Sequence, residues 1–431
     1  MKYYSLHRQS PEVSFETAVV NGLAPDKGLY FPENIQPLPA DFIHQLKSYS
    51  HAEIAYEAAK QFVGGEIPEA VLKQIAAETV DFDFPLVKIS DSVYSLELFH
   101  GPTMAFKDVG ARFMARCLGY FNREKKNQKV TVLVATSGDT GGAVANGFLG
   151  VEGVDVVILY PSGKVSDIQE KQLTTLGQNI TALEVDGTFD DCQDMVKRAF
   201  MDESLKSMTL TSANSINVAR WLPQMFYYFF AVRQLEDLRQ PVVFSVPSGN
   251  FGNICAGIVA SRLGLPIAHF VASTNVNDIV PNYLAGGEYQ PKASKPTISN
   301  AMDVGNPSNF IRIQQLFDNN FDLLKKHFSA YSFTDAQTRE AMKTLYENHN
   351  YVSDPHGAVG YLGLKKYTES QTGTTGIFLE TAHPVKFLEE VEKTLAVQIP
   401  VPAQIEAVMH KPKTSIRISS YEELKGVLLG R

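Results

Sequence analysis

Hydrophobic positions along this chain change their period near residue 90. Before that point, DFIHQLKSYS, SHAEIAYEAAKQFVG and IPEAVLKQIAAET place apolar residues at helical spacing. They follow an irregular stretch punctuated by Pro25, Pro32, Pro37 and Pro39. The pattern predicts a mostly helical N-terminal domain over residues 1–90, with its boundary near DFDFPLVKI. From residue 129, short β-branched runs alternate with amphipathic segments. KVTVLVATS, VDVVILYPS, NITALEVDG and MTLTSAN read as strands, each followed by a helical stretch, the last of them bent or begun anew at Pro223. PVVFSVPSGNFG, ICAGIVASRLG and PIAHFVAST open a second series. Apolar runs alternating with helices are the pattern of a parallel sheet wrapped by helices. The expected fold class is therefore α/β, with two doubly wound lobes in tandem behind the helical N-terminal domain.

Length and charge narrow the class further. A chain of 431 residues is too long for one ordinary core and should divide into roughly three lobes of ~150 residues. With 44% hydrophobic and 20% charged residues, it is not a largely disordered chain. The 39 basic and 47 acidic residues leave a net charge of −8, and no basic block extends beyond REKK at 123–126. Neither nucleic acid nor an anionic membrane is therefore an expected partner. No apolar run approaches the ~18 residues that span a bilayer, and MKYYSLHRQS lacks the apolar stretch of a signal peptide. Cys117, Cys192 and Cys255 are odd in number and far apart, which supports neither a disulfide framework nor a CxxC metal site. The expectation is a reduced, cytoplasmic, enzyme-sized protein without a metal centre.

Candidate chemistry lies where strands hand over to helices. Glycine-rich turns occur twice, SGDTGG at 137–142 and SGNFGN at 248–253. Glycine lets a backbone approach a ligand closely, and free N–H groups at a helix start attract phosphate or carboxylate. Neither turn matches the dinucleotide fingerprint or a Walker A loop. Small residues can also serve merely to pack a tight turn, but two such turns in separate lobes could face each other across a cleft. A third segment, FHGPTMAFKDVGARFMARCLGYF, carries Phe106, Gly110, Phe113, Cys117 and Phe121 on one helical face, with Thr103 as its expected cap. Lys107 then falls in the first turn, where the helix dipole and apolar neighbours both disfavour the ammonium form. A neutral amine is a nucleophile for a carbonyl carbon. The plain alternative is a surface lysine paired with Asp108. A depressed lysine together with a neutral anion cradle is what pyridoxal phosphate requires. In GIFLETAHPVKF, a buried strand runs into Thr381, whose hydroxyl could meet a ring nitrogen without holding it protonated, and His383 follows in a loop.

ELFHGPTMAFKDVG, ATSGDTGGAVA, SANSINVAR, VPSGNFGN and ETAHPVKF stand in this order at spacings that resemble the threonine synthases, in particular the longer-chain form with an N-terminal extension. The resemblance runs to about residue 390. It implies a fold type II pyridoxal-phosphate architecture like that of tryptophan synthase β, divided into 1–90, a large cofactor-binding lobe at 91–128 and 240–431, and a smaller nested lobe at 129–239. It further implies that Lys107 binds the cofactor aldehyde and shuttles the proton. Gly249, Asn250, Phe251, Gly252 and Asn253 would cradle the cofactor phosphate, and Thr381 would face the pyridine nitrogen. Ser137, Thr140 and their loop would hold the substrate carboxylate, and Asn214 and Arg220 the substrate phosphate. Arg220 also admits a plainer reading as a helix-surface residue. Asp139 stands where many relatives carry an asparagine that donates to the cofactor's phenolic oxygen. Either Asp139 is protonated there, or it points elsewhere and another group contacts that oxygen.

The implied reaction converts O-phospho-L-homoserine and water into L-threonine and phosphate, which makes the chain a carbon–oxygen lyase acting on a phosphate. Two alternatives carry nearly the same motifs: a phospho-lyase that releases 2-oxobutanoate and ammonia, and a catalytically silent relative of the fold. The oligomeric state is left open by the sequence.

Overall fold

The computed structural model describes residues 1–125 and 129–430, so Lys126 of the REKK block lies outside the described residues. Its strands, in chain order, are β1 Tyr3–Ser5, β2 Tyr30–Pro32, β3 Leu86–Lys88, β4 Val93–Glu97, β5 Val130–Ala135, β6 Val154–Pro161, β7 Ile180–Val185, β8 Thr209–Ser212, β9 Val242–Pro247, β10 Ile267–Thr274, β11 Phe328–Ser332, β12 Thr375–Glu380 and β13 Ile416–Ile418. Two large sheets organise them. One has the order β11-β10-β9-β12-β4-β3 and is parallel except for the β3–β4 edge pair. The other has the order β13-β7-β6-β5-β8 and is parallel throughout. β5, β9 and β12 are buried at every position, as strands covered by helices on both faces must be.

The N-terminal region is mostly helical, with Phe15–Asn21, Ala40–His44, His51–Val63 and Glu69–Thr79. Ser50 opens His51–Val63 with a capping box to Glu53, and Gly64 closes it at φ +64°. The antiparallel pair β1–β2 is an addition that the sequence pattern did not foretell, since three residues are too few to show a period. The break at Pro223 is real: a short helix Val218–Trp221 passes through a 3-10 turn, Leu222–Met225, into a second helix, Phe226–Gln234.

The tail differs from its expected place in the large lobe. β13 pairs with β7 on the smaller sheet, and Tyr421, Leu424 and Leu428 join the apolar cluster that Leu133, Leu159 and Leu183 of that sheet form with Cys192, Met195 and Val196. An apolar face at helical spacing over Tyr421–Leu429 needs a cover, and the helix Phe189–Met201 on the smaller sheet supplies it. Among the described residues, no helix is long and apolar enough to cross a membrane.

The carboxyl ends of β4, β5, β8, β9 and β12 lead into the segments singled out in the sequence: 99–107, 137–140, 213–220, 248–253 and 381–387. In open α/β sheets that is where ligands bind.

Candidate active site

Lys107 is the first residue of the helix Lys107–Glu124, with Phe106 before it and no side-chain cap. Thr103, the expected cap, instead donates its hydroxyl to Asp108 Oδ1 at 2.5 Å and its N–H to Oδ2 at 2.9 Å. Asp108 is thus turned to Thr103 rather than to the lysine, which removes the reading of a surface Lys107–Asp108 pair. The backbone around Lys107 is pinned from two sides. Phe106 N–H donates to Thr381 O at 2.9 Å and Ala105 bridges Ala382, so the exit of β12 runs beside the lysine segment. The Tyr227 hydroxyl donates to Phe106 O, and that of Tyr228 donates to Asn253 O at 2.9 Å. Two consecutive tyrosines of one helix therefore fix the lysine segment and the 248–253 turn to a common support.

The Lys107 amine lies 5.7 Å from the Phe106 ring centroid and has no hydrogen-bond or ion-pair partner among the described residues. Burial lowers its pKa from the usual lysine value; Asp139 opposes that shift, and the charges of Lys386 and Arg220 reinforce it.

Across from it, β9 ends in the turn that starts the helix Gly252–Arg262, with Phe251 at φ +62°. A Cβ on Gly249 would stand 2.7 Å from Ala301 O and 2.8 Å from Met302 Cα, so the turn packs only with glycine there. The backbone N–H groups of Gly249, Asn250, Phe251, Gly252 and Asn253 have no acceptor among the described residues. Their asparagine side chains serve the scaffold instead. Asn250 Nδ2 donates to Ser215 Oγ at 2.7 Å, and Asn253 Nδ2 donates to Pro247 O at 2.9 Å. Unpaired donors at a helix start fit a phosphate, a desolvated amine fits an aldehyde, and together they fit pyridoxal phosphate.

In the 137–140 turn, Thr136 Oγ1 accepts the N–H groups of Gly138 at 3.0 Å and Gly141 at 2.8 Å, and Gly138 takes φ +138°. Ser137 and Thr140 are partly exposed on this turn. Asp139 is buried and pairs with Lys386 Nζ at 2.8 Å, while Gln169 Nε2 donates to the same oxygen at 2.9 Å. Burial works against its charge, but Lys386, Lys107 and the Gln169 amide outweigh it and hold the carboxyl well below the usual carboxylate range. Of the two alternatives for Asp139, the geometry favours the second: its Oδ1 is turned to Lys386 and Gln169.

Asn214 uses its amide locally, with Nδ2 donating to Ala135 O at 3.0 Å and Oδ1 accepting from Ser212 Oγ at 3.2 Å. Arg220 is only 2% exposed, which corrects its reading as a helix-surface residue. One guanidinium N–H donates to Ala213 O, while Nε is buried without a partner. Burial brings its pKa down to about 10, which leaves it charged at neutral pH. The Lys107 helix crosses here in direct contact, since a Cβ on Gly110 would collide with Arg220 O.

His383 caps the turn that follows it: its Nδ1 accepts the Val385 N–H at 3.1 Å, and burial lowers its pKa to about 4. The Tyr351–His356 loop joins two parts of the site. Ser353 Oγ and Asp354 N–H donate to Glu380, the residue before Thr381, while His356 Nε2 accepts the N–H of Ala301 beside Gly249. Sequence reasoning passed over Lys386, Tyr227, Tyr228, Gln169 and Gln172, none of which carries a local signal. The two tyrosines sit in an apolar run that reads as core.

A model described as pyridoxal-phosphate dependent enzyme matches residues 85–377, one for the threonine synthase N terminus matches 2–80, and one for the threonine synthase C-terminal region matches 357–427. The chain is 44% identical over 433 aligned residues to the threonine synthase of Haemophilus influenzae, covering all of both chains. The crystal structure of threonine synthase from Escherichia coli superposes with a TM-score of 0.93 at 42% identity, again over the whole of both chains. A structure of PLP-bound threonine synthase from Brucella melitensis gives 0.93 at 34% identity over 99% of this chain and 98% of that one.

Proposed function

The chain belongs to the threonine synthase family of pyridoxal-phosphate enzymes, and from that membership we propose how its residues convert O-phospho-L-homoserine and water to L-threonine and phosphate. The observation that carries the reading is a partnerless, desolvated Lys107 amine tied through Tyr227 and Tyr228 to a turn of unpaired N–H donors. Gly249, Asn250, Phe251, Gly252 and Asn253 would hold the cofactor phosphate, Lys107 would take its aldehyde, and Thr381 would serve its ring nitrogen. Pyridoxal phosphate, when bound, supplies the electron sink for charge developing at the substrate's α-carbon.

The protein supplies positioning and proton transfer. Ser137, Thr140 and the start of the helix Asp139–Phe148 receive the substrate carboxylate. Arg220 directs its unpartnered Nε to the γ-phosphate, with Asn214 in the loop that leads into its helix. Lys107 Nζ, once free, takes the α-proton and later returns a proton to the same carbon. Between those two transfers a β-proton is lost and leaves with the phosphate, whose bond to the γ-carbon breaks; water then supplies a proton to the γ-carbon, which becomes the methyl group, and its hydroxyl to the β-carbon. A desolvated amine suits this work because it is a free base for a larger share of the time than a solvated lysine. We place the enzyme in the cytoplasm, a reading supported by three buried, unpaired cysteines.

The test is a product analysis. Incubated with O-phospho-L-homoserine, the enzyme should release L-threonine and phosphate in equal amounts. Release of 2-oxobutanoate and ammonia would replace this reading with the phospho-lyase. Borohydride reduction followed by peptide mass spectrometry should find the cofactor on Lys107, and a label elsewhere would overturn the lysine's assignment.

A further inference from the structure

Lys386 has no role in the scheme above, yet it sits at the junction of the site's loops. It lies on the 3-10 turn Pro384–Phe387, just past Thr381, with 0% of its side chain exposed. Its Nζ stands 2.8 Å from Asp139 Oδ1 and donates to Thr103 O at 2.8 Å. Each acceptor takes a second donor from the helix Asp167–Thr174: Gln169 Nε2 reaches Asp139 Oδ1 at 2.9 Å, and Gln172 Nε2 reaches Thr103 O at 3.1 Å. Ser166, the cap of that helix, donates to Lys386 O at 3.2 Å. One ammonium thus joins the segment entering the Lys107 helix, the 137–140 turn and the exit of β12.

Such a pair is weak evidence for stability, because burying both charges carries a desolvation penalty that a pair of apolar side chains avoids. Its position between the Asp139 turn and the segment that leads into the Lys107 helix gives it another use. The charges that act on the Lys107 amine are those of Asp139 and Lys386 from this pair and of Arg220 from the helix Val218–Trp221. Asp108 on its own helix is held by Thr103, and the Tyr227 hydroxyl by Phe106 O. Asp139 is the one anion of the set that raises the basicity of the amine, and Lys386 offsets it.

We propose that Lys386 is a positioning residue of the reaction: it locks the 137–140 turn onto the segment that bears Lys107 and cancels the Asp139 charge beside the Lys107 amine. The inference rests on the reading of Lys107 as the reactive lysine. Removal of Lys386 alone leaves Asp139 uncompensated, so Lys107 should hold its proton to higher pH. Removal of Asp139 alone leaves two cations facing the amine, so Lys107 should lose its proton at lower pH. Loss of both should return it near the parent value.

The experiment is competitive acetylation of the full-length, cofactor-free chain across pH, with Lys107 followed by peptide mass spectrometry. The midpoint of Lys107 reactivity should rise by about one pH unit in Lys386→Met and fall by about one unit in Asp139→Asn. It should lie within about 0.3 unit of the parent in the double variant. Should Lys386→Met fail to fold, Asp139→Asn and the double variant still decide the matter through their opposite expectations. Midpoints that do not move, or that move in the same direction in both single variants, overturn the proposal and leave the pair as scaffold. The acetylation profile does not require the cofactor to bond Lys107. A misplaced borohydride label in the parent enzyme would thus defeat the reading of Lys107 without being mistaken for failure of the Lys386 inference.

Discussion

Arg220 carries a buried guanidinium nitrogen without a partner, packed against the helix that Lys107 opens, and that is its case for holding the substrate phosphate. Arg220→Met should lower kcat/KM for O-phospho-L-homoserine by about 100-fold, since hydrogen bonds to a charged group contribute about 1.5–3 kcal/mol. Steady-state kinetics check this, and a loss under threefold would assign the guanidinium to the scaffold. Lys107, the two glycine-rich turns and Thr381 stand out in the sequence because the tasks proposed for them demand particular residue types at particular strand or helix ends. Lys386 could not. Its partner Thr103 lies 283 residues away, and nothing local to HPVKF marks its lysine as buried. Asp139 was legible as a departure, but its charge state depends on Lys386 and Gln169, which only the fold brings to it.

The turn between β9 and the helix Gly252–Arg262 depends on one residue's lack of a side chain. Gly249→Ala would drive a Cβ against Ala301 O and Met302 Cα, both backbone atoms that cannot swing aside. Overpacking of this kind typically costs about 1–3 kcal/mol. Titration with pyridoxal phosphate, followed by absorbance near ~410–430 nm, should show affinity reduced at least about tenfold, with the far-UV spectrum unchanged. Elements with a full period were legible in advance. β5, β9 and β12 are buried along their whole length, and the helix Lys107–Glu124 buries the face predicted for it. The misses were short or sited by partners far away. β1, β2 and β13 have three residues each, and Thr103 reads as a cap only until Asp108 reaches back to claim it.

The folded molecule as a whole should weaken in mild acid. Burial lowers His269 to about 4, with His327 adding to the shift, and burial likewise lowers His383 to about 4. Both lie below the unfolded value of 6.5, so the unfolded chain binds more protons in that window. Their contribution to stability is complete above pH 6.5 and declines as pH falls toward about 4, by about 1.4 kcal/mol per pH unit for each histidine. Urea unfolding at several pH values should show that slope, and His269→Gln should flatten it; an unchanged slope would put the acid sensitivity elsewhere. The smaller sheet carries a consequence for how the polypeptide is made. β7 meets its outer neighbour only when β13 arrives, and the Asp186–Arg417 contact beside that pairing closes across 231 residues. At roughly 5–20 residues per second, a ribosome needs about 10–50 s to translate that interval. Throughout it the nascent protein displays a bare row of N–H and C=O groups, which a neighbouring polysome product could pair with. Yield in a crowded cell should therefore hinge on what shields that rim until translation finishes.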